Sequence, residues 1–156
     1  GNGITITDLD GDGQVEWVVV LVPHLYVFQF DGAGGYEPVW HTQVRRTQRP
    51  AVGDLDSDGR QEIVYGTEDG WLFAVEPRCG GGGWKLNIVG QVVGLETLPT
   101  GILAASEFGD LYTLGFDGTL HTHQHVSEWI HAAVRCGDEI VLATQGGRLL
   151  KFDRHL

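Results

Sequence analysis

Apolar positions along this chain fall into short runs, and none sustains the 3.6-residue period of an amphipathic helix. The runs recur in a fixed order. Glu16-Trp17-Val18-Val19 returns as Glu62-Ile63-Val64-Tyr65 and as Glu139-Ile140-Val141-Leu142, while Ile102-Leu103-Ala104-Ala105 stands at the same place in another copy. A second run follows each: Leu25-Tyr26-Val27-Phe28, Leu72-Phe73-Ala74-Val75, Leu111-Tyr112-Thr113-Leu114 and Leu149-Leu150-Lys151-Phe152. Gly70, Gly109 and Gly147 introduce three of these at one offset. A third segment opens with Trp in two copies, Trp40-His41-Thr42-Gln43-Val44 and Trp84-Lys85-Leu86-Asn87-Ile88. Runs this short, β-branched and aromatic, predict strands.

Each repeat reads as four strands, and the first copy starts at Ile4-Thr5-Ile6-Thr7. A period of about 40 residues with four strands per unit predicts a propeller blade. One blade cannot bury both its faces, so neighbours must stack. The expected fold is all-β: a β-propeller of four-stranded antiparallel blades, four per chain. The expected domain is 1–156, a whole or half propeller, with blades at about 3–46, 47–90, 91–126 and 127–156. The fourth repeat reads as three strands with no outer one. From this we expect a homodimer whose two half-rings make eight blades, the alternatives being an excised fragment or a closed four-blade ring.

Between the first and second strands of two repeats lies a chemical pattern. Asp8-Leu9-Asp10-Gly11-Asp12-Gly13-Gln14-Val15-Glu16 is matched by Asp54-Leu55-Asp56-Ser57-Asp58-Gly59-Arg60-Gln61-Glu62. Carboxylates at positions 1, 3, 5 and 9, with Gly at 6 for a sharp bend, suit a hard cation that takes six to eight oxygens. A helix–loop–helix calcium site would need a Glu at position 12; Val19 and Tyr65 stand there, and the flanks are strand-like. The expectation is two Ca²⁺ sites within β-hairpins. A pair of Asp/Gly hairpin turns without an ion is the plainer reading, weakened by the duplication. The third and fourth repeats carry Leu98-Pro99-Thr100-Gly101 and Arg135-Cys136-Gly137-Asp138 at this place, and no calcium is expected there.

These loops, with Gly53-Asp54-Leu55-Asp56 and Glu62-Ile63-Val64-Tyr65-Gly66-Thr67, resemble FG-GAP (VCBS-type) repeats, the blades of integrin α-subunit heads and many bacterial surface proteins. The stretch from Gly66 to Pro77 is also similar to quinoprotein-type blades. The FG-GAP resemblance implies Asp8, Asp10, Asp12 and Glu16 as one metal site and Asp54, Asp56, Asp58 and Glu62 as the other. Gln14 and Arg60 would add backbone carbonyls. By the quinoprotein resemblance, Trp40 and Trp84 would dock one blade onto the next.

Charge narrows the partners. With 21 Asp and Glu against 10 Lys and Arg, the formal net charge is −11, which disfavours nucleic-acid binding through phosphates. Arg45-Arg46…Arg49 is the one basic cluster, read as a solvated turn. No apolar stretch is long enough for a membrane-spanning helix, and no membrane insertion is expected. No signal peptide precedes Gly1-Asn2-Gly3, which we expect to be a processed or cut end. Calcium loops suit the millimolar Ca²⁺ outside cells, so a secreted or cell-surface location is expected. Cys79 and Cys136 fall two blades apart, too far for a disulfide. His121, His123 and His125 share one face of a strand, at a spacing too wide to clasp one ion, and are read as a polar edge. No nucleophile–base pair stands out. The expected function is a non-enzymatic calcium-binding scaffold or binding module with a protein or glycan ligand. The alternatives are a glycan-binding lectin, a fragment of a larger propeller protein and, last, a calcium-dependent polysaccharide lyase.

Overall fold

In the computed structural model, residues 3–45, 47–77, 83–137 and 139–153 are described, and Cys79 lies outside them. Among these residues there are fifteen strands. The first sheet is a meander of β1 (Ile4–Thr7), β2 (Glu16–Leu21), β3 (His24–Phe30) and β4 (Tyr36–Gln43). The second holds β5 (Ala51–Gly53), β6 (Glu62–Gly66), β7 (Trp71–Val75) and β8 (Lys85–Asn87). The third holds β9 (Val92–Leu98), β10 (Gly101–Ser106), β11 (Asp110–Leu114) and β12 (Leu120–His125). The fourth holds β13 (Ile130–Cys136), β14 (Glu139–Thr144) and β15 (Leu149–Asp153). All pairs are antiparallel. This is the all-β blade architecture that the repeats predict.

The burial of each second strand shows how the blades stack. Every residue of β6 and of β10 is buried, because sheets cover both faces of the inner blades. In β14 burial alternates: Ile140, Leu142 and Thr144 are buried while Glu139 is exposed, so one face lacks a neighbour. Three apolar clusters join successive blades. Val18, Val20 and Leu25 meet Ile63 and Tyr65. Val64 and Leu72 meet Leu95, Ile102 and Ala104. Leu103, Ala105 and Leu111 meet Ile130, Ile140 and Leu142. No such cluster joins the first blade to the fourth, so the described residues make an open arc. Ile4 and Ile6 on the first blade and Leu149 on the last remain 55%, 57% and 73% exposed.

Trp40 and Trp84 do pack at blade junctions. Trp84 lies against the cluster between the second and third blades, and its indole N–H donates to Phe116 O at 2.7 Å. Trp40 lies against the cluster between the first and second. Close approach also constrains Gly66, where a Cβ would meet Val92 Cγ1 at 2.4 Å. Cys136 is a free, exposed thiol.

Candidate metal centres

Both Asp-rich loops connect the first strand of a blade to its second, and each is pinned by the leucine between its first two aspartates. Leu9 and Leu55 are 4% and 8% exposed and belong to the two neighbouring interblade clusters. With that side chain buried, the flanking aspartates turn to the loop's outer side. Leu9 O also accepts from Gln61 N–H of the next blade at 2.8 Å, tying the first loop to the second hairpin.

Backbone N–H groups fold each loop around its own carboxylates. Asp8 Oδ1 accepts from Gly11 N–H at 2.7 Å and its Oδ2 from Gly13 N–H at 2.9 Å. Asp10 Oδ1 accepts from Asp12 N–H at 3.3 Å, and Asp12 Oδ1 from Gln14 N–H at 2.7 Å. The second loop repeats three of these four bonds. Asp54 Oδ2 accepts from Gly59 N–H at 3.1 Å, Asp56 Oδ1 from Asp58 N–H at 3.2 Å, and Asp58 Oδ1 from Arg60 N–H at 2.8 Å. These are Asx turns, each carboxylate closing the chain two or more residues on. Positive φ is needed at the same loop positions: Gly11 has φ 75°, its counterpart Ser57 64°, Gly13 86° and Gly59 89°.

The ninth-position glutamates begin β2 and β6 and point inward. Glu16 is fully buried and Glu62 is 5% exposed. Glu16 Oε2 accepts from Leu9 N–H at 2.8 Å, and Glu62 Oε2 from Leu55 N–H at 2.6 Å. Burial pushes Glu62 above the usual carboxylate range. The Leu55 N–H draws it down, while the charges of Asp56, Asp58 and Asp54 push it up again. So much negative charge around a buried carboxylate is relieved either by a proton or by a cation.

In the first loop, carboxylate oxygens of Asp8, Asp10 and Glu16 lie within 4.8 Å of one another; in the second, those of Asp54, Asp56 and Asp58 do. Asp12 and Glu62 stand outside these groups, each with an oxygen held by a backbone N–H. The Gln14 side chain contacts Asp12 at 3.4 Å, and Arg60 pairs with Glu76 at 3.3 Å. Both side chains point to tasks other than ligation, leaving their carbonyls as the oxygens they can offer. The donor set is all oxygen and rich in carboxylate, the chemistry suited to Ca²⁺.

A second polar cluster escapes the sequence pattern. His123 Nε2 lies 2.8 Å and His125 Nδ1 3.1 Å from Asp110 Oδ1, and Ser106 Oγ donates to Asp110 Oδ2 at 3.3 Å. Burial raises the Asp110 pKa, but the bonds and charges of the two histidines outweigh it and hold the carboxyl below its ordinary value. His123 also stacks on Tyr112 at 4.6 Å. The signal lies in the register, since Asp110 is directly opposite His125 on the neighbouring strand. The edge is polar, as its alternation implies, and two of its histidines are anchored by this one carboxylate.

Residues 8–65, which hold both loops, match the FG-GAP-like repeat family. The segment is FG-GAP-like, and the architecture around it is that of β-propeller proteins. No curated protein matches the chain in sequence. In structure it is similar to Sqt1 of Saccharomyces cerevisiae, with a TM-score of 0.79 at 9% identity over 99% of this chain and 45% of that one. It is similar also to BBS1N in complex with ARL6DN, with a TM-score of 0.74 at 10% identity over 98% of this chain and 53% of that one. The computationally designed Ika4 protein gives 0.70 at 11% identity, over 97% of this chain and 89% of that one. The chain thus spans about half the length of the first two and nearly all of the third. Identities this low speak for the fold alone.

Proposed function

We propose that this chain is a non-enzymatic calcium-binding β-propeller module, a rigid platform for a ligand, with Ca²⁺ serving structure in the first hairpins of blades one and two. The observation that carries it is the duplication in three dimensions. Two loops that share three aspartate-to-backbone hydrogen bonds, the glutamate bond to the leucine N–H and the buried leucine itself each gather three carboxylates within 4.8 Å, Asp8, Asp10 and Glu16 in one and Asp54, Asp56 and Asp58 in the other. Uncompensated, those charges repel; a divalent cation turns the repulsion into a clamp. Metal that binds only the folded chain adds RT ln(1 + [L]/Kd), about 2.7 kcal/mol per site at a hundredfold excess over Kd.

A structural ion leaves the blade surfaces available for a partner. BBS1N is a propeller neighbour whose structure contains a bound protein, ARL6DN, which supports a protein ligand here. The same reading includes a second copy of the chain that completes an eight-bladed ring, and a secreted or cell-surface setting where Ca²⁺ is abundant. A lectin role has one observation in its favour: Trp129 is 52% exposed and packs edge-on against Phe108 at 5.2 Å. A glycan array read by Trp fluorescence separates that role from a protein scaffold. The calcium reading is tested by thermal unfolding with Ca²⁺ and with EGTA. EGTA should lower Tm, and Asp10→Ala combined with Asp56→Ala should abolish the difference. A wild-type melting curve indifferent to EGTA would sink it.

A further inference from the structure

Blades one and two carry matching Asp-rich loops, but the neighbours that these loops face differ. Val27 stands opposite Val18 in blade one as Ala74 stands opposite Val64 in blade two, so Leu9, Asp10 and Val27 correspond to Leu55, Asp56 and Ala74. Against Leu9, Asp10 and Val27 the next blade sets Arg60, Gln61, Glu76 and Pro77, and only about 10 Å³ stays open between them. Arg60 pairs with Glu76 at 3.3 Å, while Gln61 N–H donates to Leu9 O at 2.8 Å. An arginine side chain is part of the filling of this junction.

At the next junction that filling is missing. Residues 54–61 join β5 to β6, whereas Pro99 and Thr100 alone join β9 to β10, so blade three has no counterpart of Arg60 and Gln61. A cavity of about 350 Å³ opens beside the second loop, within the range of about 300–1,000 Å³ usual for ligand sites. Leu55, Ala74, Trp84 and Phe116 give it an apolar lining. The Trp84 indole N–H donates to Phe116 O at 2.7 Å, which fixes these two rings relative to each other before any ligand arrives. Asp56, Glu62 and Asp117 add carboxylates, and among the described residues no basic side chain lines the cavity. Asp117 is held by Thr119, whose N–H donates to Oδ1 at 2.9 Å and whose hydroxyl donates to Oδ2 at 2.8 Å. Both walls belong to inner blades, whose second strands are buried along their whole length.

We propose that this cavity receives an arginine side chain from a partner protein, supplying in trans what Arg60 supplies in cis one junction earlier. A guanidinium is planar and weakly hydrated, stacks on an indole ring and pairs with carboxylates, so it matches both halves of the lining. One Ca²⁺ in the second loop would offset two of its four carboxylate charges, and Asp117 adds another, so the cavity stays negative with the ion in place. The formal net charge of −11 also favours encounter with a basic partner. This partner is the protein ligand of the platform reading, on which the assignment rests.

The probe is the capped peptide acetyl-Gly-Arg-Gly-amide, set against the same peptide with citrulline, which keeps the shape of arginine and loses its charge. Each is titrated into isotope-labelled protein in Ca²⁺ buffer while NMR follows the Trp84 indole N–H, assigned with Trp84→Phe. The arginine peptide should shift this signal saturably by about 10 mM, the weak affinity of a single anchored side chain, and the citrulline peptide should not. Asp117→Asn, at an exposed position where the amide keeps an acceptor for Thr119, should weaken binding about two- to fivefold. The absence of a saturable shift, an equal response to citrulline, or unchanged affinity in Asp117→Asn overturns the assignment. A response to methyl glycosides in place of the arginine peptide overturns it too, and makes the cavity a saccharide site. The EGTA melting curve is recorded on the same protein. A failed titration beside a calcium-dependent Tm removes the arginine site alone, whereas a Tm indifferent to EGTA removes the metal reading whatever the peptide does.

Discussion

Replacing Glu16 separates the two tasks of its carboxylate. The side chain is fully buried at the first residue of β2, with Oε2 accepting from Leu9 N–H at 2.8 Å. Glutamine keeps an acceptor for that N–H and removes the charge a cation needs. Alanine removes both, stranding a donor in the interblade core at about 1–3 kcal/mol. At this chain length each kcal/mol moves Tm by about 2–4 °C. The alanine variant should therefore melt about 2–12 °C below wild type in EGTA, while the glutamine variant stays within about 3 °C of wild type. In excess Ca²⁺ each intact site should raise Tm by about 5–11 °C. Both variants should lose about half of the wild-type rise, since the second loop is untouched. The assay is differential scanning fluorimetry in EGTA and in a Ca²⁺ series. If Glu16→Gln keeps the full rise, Glu16 is a loop anchor only and the reasoning fails.

Three further outcomes are expected. Ser57 holds φ 64° where the first loop has glycine, a conformation costing an L-residue about 1–2 kcal/mol. After the entropy glycine loses, Ser57→Gly should stabilise by up to about 1 kcal/mol in urea unfolding, and a clear loss would contradict the strain. Asp110 has a depressed folded pKa, so its stabilising contribution is present above the ordinary value of 3.8 and is lost as pH falls through the folded value. Asp110→Asn should narrow its gap to wild type below about pH 4, and urea midpoints that stay parallel down to pH 3 would refute the pairing. Trp84→Phe keeps ring packing but leaves Phe116 O without its indole donor; a cost of about 0.5–1.5 kcal/mol is expected by chemical denaturation, and no change would remove the bond from the account of blade docking.

The strands were legible because blades covered on both faces leave short apolar runs that recur in a fixed order, and the loops because cation ligation and tight turning use few residue types. Other features depend on three-dimensional register. Leu9 and Leu55 look like spacers between ligands, yet they are core residues that aim the aspartates outward. Asp110 and His125 lie fifteen residues apart in sequence and meet only because β11 and β12 pair at that register. Trp17, Tyr26 and Phe28 read like Ile63, Phe73 and Val75, and no local pattern tells which set a neighbouring blade covers. That information belongs to the stacking order, which is why the open faces emerge only from the folded arc.

Calorimetric titration of chelator-stripped protein with Ca²⁺ tests the central claim most directly. Two bound ions per chain are expected in wild type, one in either Asp10→Ala or Asp56→Ala, and none in the double variant. Binding that is absent in wild type, or that persists in the double variant, would contradict it.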